Sequence, residues 1–391
     1  MEQCGMRQFL FAVSAAGLAT ASATPAFAAT EAEEWEVKPR WRLQYDWADV
    51  SGPTGLAGTG PSEEIRRAQL GVDIKMPGGF SARLEGEFAG DPIELVDAFV
   101  AWNGGGYNVT AGQQKFFSPL DDMTSDLNTS FTERAALVSA FGFSRRTGLS
   151  AGYAKGDFQV NAGVGTDLLI ALDDVHDNSL SAHVRAVWMP RMGATKLHFG
   201  AAWHGKERRD AAASAMRYSQ RPLVHSAAMR YIATPGLLVE REQTYGVEAA
   251  AVNGPFHVAS EAYWHHASRP GAADPTFFGA YAEAGVFLTG GDSRPLKGGQ
   301  FGAIKPKKAL GEGGIGAVQL NARYDYLDLD SAGVTGGQQR GYMASLIWTP
   351  TDWMRVMAQY ARLNYRGAAI AVAGQRDYGV DVVGARVQFT Y

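Results

Sequence analysis

Cysteine is nearly missing from this chain: there is one in 391 residues, Cys4. That excludes a disulfide scaffold and a cysteine-built zinc site. Surplus charge is missing too. Lysine and arginine number 36 against 40 aspartates and glutamates, a formal net charge of −4, which is not the footprint of a nucleic-acid binder. After residue 28 no apolar run approaches the roughly 20 residues that a membrane helix needs. Long polar tracts are also absent, which excludes a disordered chain. What is present is 46% hydrophobic residues, 11% aromatics and 47 glycines, a glycine share well above the roughly 7% of ordinary proteins.

Residues 1–28 read as a secretory address. Arg7 precedes an apolar stretch from Phe9 to about Leu18, and Ala26-Phe27-Ala28 offers the small residues that a signal peptidase reads. Cleavage there would remove Cys4 and leave 391 − 28 = 363 residues. Without a helical span, that exported chain is either soluble or a membrane β-barrel, whose strands leave no hydropathy peak.

Alternation decides between them. At the C-terminus Val383, Ala385, Val387, Phe389 and Tyr391 alternate with Gly384, Arg386, Gln388 and Thr390. Trp41, Leu43, Tyr45 and Trp47 alternate with Arg40, Arg42, Gln44 and Asp46, and Leu197, Phe199, Ala201 and Trp203 with His198, Gly200, Ala202 and His204. Charged residues in mid-strand suit a wet lumen. Trp47, Phe88, Trp102, Trp188, Trp203 and Trp348 close the apolar faces, where interfacial girdles belong. Glycine at lumen positions is expected to leave channel space.

Short connections at 76–79, 103–106, 154–157, 253–255 and 350–352 alternate with long ones at 48–62, 116–140, 166–178, 206–242, 266–275, 329–340 and 366–377. About sixteen strands fit between them, with both termini periplasmic. The expected fold is all-β, a transmembrane antiparallel β-barrel over 29–391 that encloses an aqueous channel. Segment 290–315 stands where a short periplasmic turn belongs and is too long to be one.

Lumen-facing cations on this pattern include Arg40, Arg42, Arg67, Lys75, Arg83, Arg146, Arg185, Arg323, Arg355 and Arg386. Guanidinium forks suit phosphate and carboxylate. Asp46, Asp73, Glu85, Glu87, Asp97, Glu248, Glu261 and Asp325 face the same lumen and can pair with them. Several apparent enzyme motifs fail in context. Gly148-Leu149-Ser150-Ala151-Gly152 lies inside a strand rather than at a nucleophile elbow. The glycine pattern at 311–316 opens no helix. His265 and His266 point to opposite strand faces. No catalytic site, cofactor or metal is expected.

EIRRAQLGV at 64–72, RLEGEFAG at 83–90, VDAFVAW at 96–102, GQQKFFSPLDDMTSDLNTSFTERA at 112–135, RRTGLSAGY at 145–153 and AIKP at 303–306 together resemble the phosphate-selective porin O/P family. The resemblance implies a homotrimer of sixteen-stranded barrels in the outer membrane, narrowed by an inward-folded third loop, here 116–140, and carrying a long periplasmic connection, here 290–315. It places Arg66, Arg67 and Asp97 at the constriction, with Thr124, Ser125 and Arg134 in the loop. Strict alternation turns only Arg67 inward, so Arg66 needs a bulge or a position above the membrane. Lys115, Arg83, Arg146, Arg323 and Arg355 complete the anion-binding candidates. The family's loop lysine after Thr-Ser is replaced here by Asp126, which opposes an anion. The expected function is passive passage of small anions, phosphate or related oxyanions by default. A general or carboxylate porin is the alternative, and an outer-membrane enzyme is the reading from another class. The expected partners are small anionic solutes and outer-membrane lipid.

Overall fold

One antiparallel sheet closes on itself. The computed structural model describes residues 34–90, 92–116, 119–169, 179–209 and 214–391. The signal peptide expected over 1–28 lies outside them. The sixteen barrel strands are β1 (Glu36–Ser51), β2 (Gly60–Lys75), β3 (Phe80–Glu87), β4 (Glu94–Gly104), β5 (Tyr107–Lys115), β6 (Arg145–Lys155), β7 (Phe158–Thr166) and β8 (Ser179–Trp188). They continue with β9 (Thr195–Arg208), β10 (Arg241–Asn253), β11 (Phe256–Ser268), β12 (Thr276–Phe287), β13 (Ala317–Ser331), β14 (Val334–Thr351), β15 (Met354–Arg366) and β16 (Tyr378–Thr390). Each pairs with its neighbour in sequence, and β1 pairs with β16 from Arg42 opposite Thr390 to Ser51 opposite Asp381. Closure removes the free edge, which a bilayer would not tolerate. Arg386 and Asp46 stand opposite each other at the seam and bond at 2.6 and 2.7 Å.

The outward positions carry the apolar face. Trp188, Trp348, Trp41 and Phe199 stand near the periplasmic ends, and Trp47, Phe88, Tyr245 and Trp264 near the outer ends, all exposed. Ring contacts link neighbours along both girdles, as between Phe158 and Trp188 at 5.9 Å and between Trp264 and Phe278 at 5.3 Å. The middle belt between them is rich in alanine.

Two connections differ from expectation. The long loop expected at 329–340 is a hairpin turning on Ala332 and Gly333, with φ of 50° and 78°. Two successive residues of positive φ match the twist of the flanking strands, so β13 and β14 run on past the membrane. Segment 290–315, expected to stay in the periplasm, sends its first half up into the barrel. There Arg294 bonds Glu283 at 2.7 Å and Ser130 at 2.8 Å, and Arg185 donates to the Gly299 carbonyl at 2.7 Å.

The lumen is far from an open tube. Residues 214–240 fold into the outer mouth, and Tyr218, Leu223, Tyr231 and Ile232 pack there with Leu137 and Phe141 of the β5–β6 connection and with Phe277, Leu327 and Leu363 of the wall. This buried cluster exists because β13, β15 and β16 turn apolar side chains inward at their outer ends: Leu327 and Leu329, Leu363 and Tyr365, Val380 and Val382. The inward glycines correspondingly make room for packed groups rather than for channel water. A Cβ on Gly246 would strike the Tyr263 ring, and one on Gly279 would lie 2.5 Å from Leu137 Cβ. Gly279→Leu is therefore expected to lower the thermal midpoint, with the cost of about 1–3 kcal/mol usual for overpacking. An unchanged midpoint in a heat-modifiability series would contradict the packed lumen.

Candidate pore constriction

The connection between β5 and β6, residues 116–144, crosses the lumen with two short helices, α1 (Leu120–Met123) and α2 (Ala136–Ala140). Most of its backbone has no strand to pair with, so wall side chains supply the partners. The Leu120 N–H donates to Glu248 at 2.9 Å and to Glu261 at 2.7 Å, and the Asp121 N–H to Glu261 at 2.7 Å. The Thr132 N–H donates to Gln359 at 3.0 Å and the Ala136 N–H to Asp325 at 3.0 Å. Arg355 donates to the carbonyls of Leu127 at 2.7 Å and Thr129 at 2.6 Å, Gln388 to Leu127 at 3.0 Å and Ser345 to Ser130 at 2.5 Å. Arg294 reaches the Asn128 carbonyl from below at 3.2 Å.

This stapling sorts the expected pore residues. Arg355 is consumed by loop carbonyls. Arg323 is buried between Asp121 at 3.2 Å and Glu283 at 2.6 Å, with its guanidinium 4.8 Å from the centre of the Phe131 ring. Arg146 ties Asp167 at 3.1 Å and Ser179 at 3.4 Å near the outer rim. Thr124 is buried, and its hydroxyl donates to the Leu120 carbonyl at 2.8 Å. Arg146, Arg323 and Arg355 are thus taken up by protein partners, while Thr124 reaches the remaining candidates only through its carbonyl, which accepts from Arg134 at 2.9 Å.

The remaining candidates gather where the loop faces β1 to β6. Between Gln44 and Tyr45 the β1–β2 register slips by one, so that Gln44 opposes Arg67 and Tyr45 opposes Ile65. Arg66 is the extra residue. The bulge turns both arginines inward. Arg66 pairs with Glu133 at 3.2 Å, and Arg67 with Glu87 at 3.2 Å and Asp126 at 3.5 Å. Arg42 holds the same Asp126 at 2.6 Å. Arg83 pairs with Asp73 at 2.6 Å, and Asp97 with Arg145 at 2.6 Å. Arg134 and Lys115 share Asp122 at 3.3 and 3.0 Å. Ser125 is half-buried at the turn, where its hydroxyl accepts the Leu127 N–H at 3.4 Å.

Side-chain exposure shows where the lumen stays open. Arg67 keeps 26%, Arg134 20% and Arg145 31%, whereas Arg185, Arg323 and Arg386 keep 1% each. The open side is the β1–β6 wall. There eight cations (Arg40, Arg42, Arg66, Arg67, Arg83, Lys115, Arg134, Arg145) stand among seven carboxylates (Asp73, Glu85, Glu87, Asp97, Asp122, Asp126, Glu133), a surplus of one. Burial pushes the Asp126 carboxyl upward, but Arg42, Arg67, Arg134 and Arg386 outweigh it and hold it well below the usual range. Burial acts likewise on Glu133, where Arg66, Arg386 and His225 win and lower it. Both loop carboxylates are thus held in the charged form.

Sequence reasoning missed Arg145, Asp122 and Glu133 as charge partners and Arg294 as a prop. The doublet Arg145-Arg146 repeats the Arg66-Arg67 pattern and was a usable signal for the first. Ser150 faces the lumen and donates to Gln114 at 2.7 Å. His265 points inward to Thr244 and His266 outward to Thr276. Among the described residues no cluster is arranged to hold a metal ion.

A sixteen-stranded barrel with an arginine-bearing wall and a loop folded across its lumen is the architecture of a diffusion channel. The family model for phosphate-selective porin O and P matches residues 37–391. The chain belongs to that family. A curated protein of Caulobacter vibrioides, described only as uncharacterized, is 43% identical over 364 residues, covering 90% of this chain and 74% of that one. In vitro folded OmpT, an outer membrane protein of Vibrio cholerae, superposes with a TM-score of 0.60 at 11% identity, over 93% of this chain and 99% of that one. Its trimer form gives 0.58 at 12%, over 92% and 100%. An anion-selective porin from Comamonas acidovorans gives 0.57 at 12%, over 92% and 100%. At such identities the structural likeness is one of fold. As a member of the porin O and P family the protein is an outer-membrane channel and not an enzyme.

Arg355→Met would strip the buried Thr129 carbonyl of its side-chain donor, at a cost of about 1–3 kcal/mol, and leave the Leu127 carbonyl to Gln388 alone. This variant is expected to show more open-channel current noise and a lower thermal midpoint. Wild-type values of both would show that the loop is held by something else.

Proposed function

We propose that this porin is a passive channel for small anions, phosphate and related oxyanions among them, with a selectivity moderated by Asp126. The observation that carries the reading is the bulged pair Arg66 and Arg67, turned together into the open side of the lumen and joined there by Arg42 and Arg134. A dissolved anion loses hydration at the narrow point, and guanidinium donors replace it. Asp126 takes up the two nearest guanidiniums and lowers the field available to a phosphate. The near balance of eight cations and seven carboxylates favours one alternative, a weakly selective porin for carboxylates or general hydrophilic solutes. Assembly as a homotrimer, contact of the girdles with outer-membrane lipid, and export by a cleaved signal over 1–28 are part of the same proposal. The trimer form of the similar Vibrio protein supports the first of these.

The test is the reversal potential of single channels in a potassium chloride gradient. Wild type is expected on the anion side. Asp126→Asn should raise the chloride-to-potassium permeability ratio by on the order of two- to fivefold, and Arg67→Ala should lower it comparably. A cation-selective wild type would end the anion reading. Because Asp126 is held well below the ordinary range, its charge persists as pH falls from neutral to about 4, where a free aspartate is half protonated. Wild-type selectivity should thus stay level over that interval. A rise in anion preference centred near pH 4 would show Asp126 to be unpaired.

A further inference from the structure

The connection between β12 and β13 has a second half that the pore does not use. After residues 294–301 have entered the lumen, residues 305–316 return to the periplasmic rim and form a small lobe. The Gly316 N–H donates to the Lys308 carbonyl at 3.0 Å, the Glu312 N–H to Ala309 at 3.0 Å, and the Leu310 N–H to Pro350 at 2.8 Å. Gly311, Gly313 and Gly316 hold φ of 87°, 81° and 84°, which side-chain-bearing residues rarely adopt and which lets the lobe turn so tightly.

Its surface has two components. Lys305, Lys307 and Lys308 are exposed, and none is within ion-pair distance of a carboxylate among the described residues. Asp292, the acid nearest in the chain path, is taken by the Lys307 backbone N–H at 2.7 Å and the Thr289 hydroxyl at 2.5 Å. Glu312 at the tip is exposed and offsets one charge. Beside the lysines Leu310 is 51% and Ile315 62% exposed. These two lie outside the barrel strands, so the alternation that makes a lipid-facing strand position apolar does not account for them. Their level is fixed by Trp348, an outward-facing member of the inner girdle, whose indole N–H donates to the Ile315 carbonyl at 2.7 Å. The exposed Trp353 and Leu288 continue the same apolar rim.

Unpaired lysines beside exposed aliphatic side chains, at the depth of an aromatic girdle, match one partner. We propose that the 305–316 lobe is a docking surface for anionic phospholipids of the inner leaflet of the outer membrane. Leu310 and Ile315 enter the acyl boundary. The lysine stems lie along it and place their ammonium groups at the headgroup phosphates. Charge complementarity selects the lipid: a zwitterionic headgroup offsets its own phosphate, whereas phosphatidylglycerol leaves a net negative charge for the lysines.

The experiment uses the full chain in detergent micelles doped with equal phosphatidylglycerol and phosphatidylethanolamine, with retained lipids counted by native mass spectrometry. Wild type should retain phosphatidylglycerol in preference. The triple variant Lys305→Gln, Lys307→Gln, Lys308→Gln should lose that preference by about tenfold. Leu310→Ser with Ile315→Ser should lower retention of both lipids. Both variants should keep wild-type heat modifiability and reversal potential, which reads the anion proposal separately. Equal preference in wild type and the lysine variant would overturn the inference. So would a lysine variant with a shifted reversal potential and unchanged lipid retention, because the lysines would then stand on the solute route. Loss of binding to isolated peptidoglycan with unchanged lipid preference would likewise assign the lobe to the cell wall.

Discussion

A chain segment that crosses a barrel lumen carries peptide N–H and C=O groups with no neighbouring strand, and each one needs a partner or water. Here the wall meets that need with side chains. Glu248, Glu261, Asp325 and Gln359 accept from the crossing loop, and Arg355, Gln388 and Ser345 donate to it. Much else follows from this stapling. Polar and charged residues in mid-strand are retained because the loop needs them, and the loop is thereby fixed against one side. The inward sections of 214–240 and 290–304 fill the remainder, and the open lumen is left along β1 to β6.

The same constraint reassigns the charges. An inward-facing arginine can bind solute or hold protein, and in this barrel most of those on β8 to β16 hold protein. Arg185, Arg323 and Arg386 end in buried carboxylate pairs, a role in which a lone replacement would strand a buried charge. The wall from β1 to β6 is also paired, but Arg67, Lys115, Arg134 and Arg145 on it stay partly exposed. Its field therefore depends on a single surplus cation and on where Asp126 sits. A loop acid in place of a loop lysine changes that count by two, which at a constriction matters more than the net charge of the whole chain.

Much of the fold was legible in the sequence because alternation is a local property. The closing strand with its terminal aromatic, the girdle tryptophans and the sixteen strands could be read from periodicity alone. That Arg66 needs either a bulge or a position above the membrane was also legible, since two adjacent arginines cannot both face inward on a regular strand, and the register slip shows the bulge. The fate of the lumen was not. A period of two separates inside from outside, but it does not say whether an inward residue meets water or a folded loop. One signal was available: Leu327 and Leu329 of β13, with Val380 and Val382 of β16, are apolar on the lumen side, where an aqueous channel has no use for them. Arg323 finds Glu283 on the neighbouring strand, but its loop partner Asp121 and the Arg355 partners Leu127 and Thr129 lie 202, 228 and 226 residues away in sequence, and no spacing rule reaches that far.

If the passage runs between the stapled loop and the β1–β6 wall, the reactivity of single cysteines will report it. In a Cys4→Ser background, cysteine at position 42, 67 or 134 should react with a charged methanethiosulfonate reagent added to open channels and should lower their conductance. Cysteine at position 185, 323 or 355 should not react in the folded barrel. Rapid block through position 323 or 355, with positions 42 and 67 silent, would place the passage on the opposite side of the lumen.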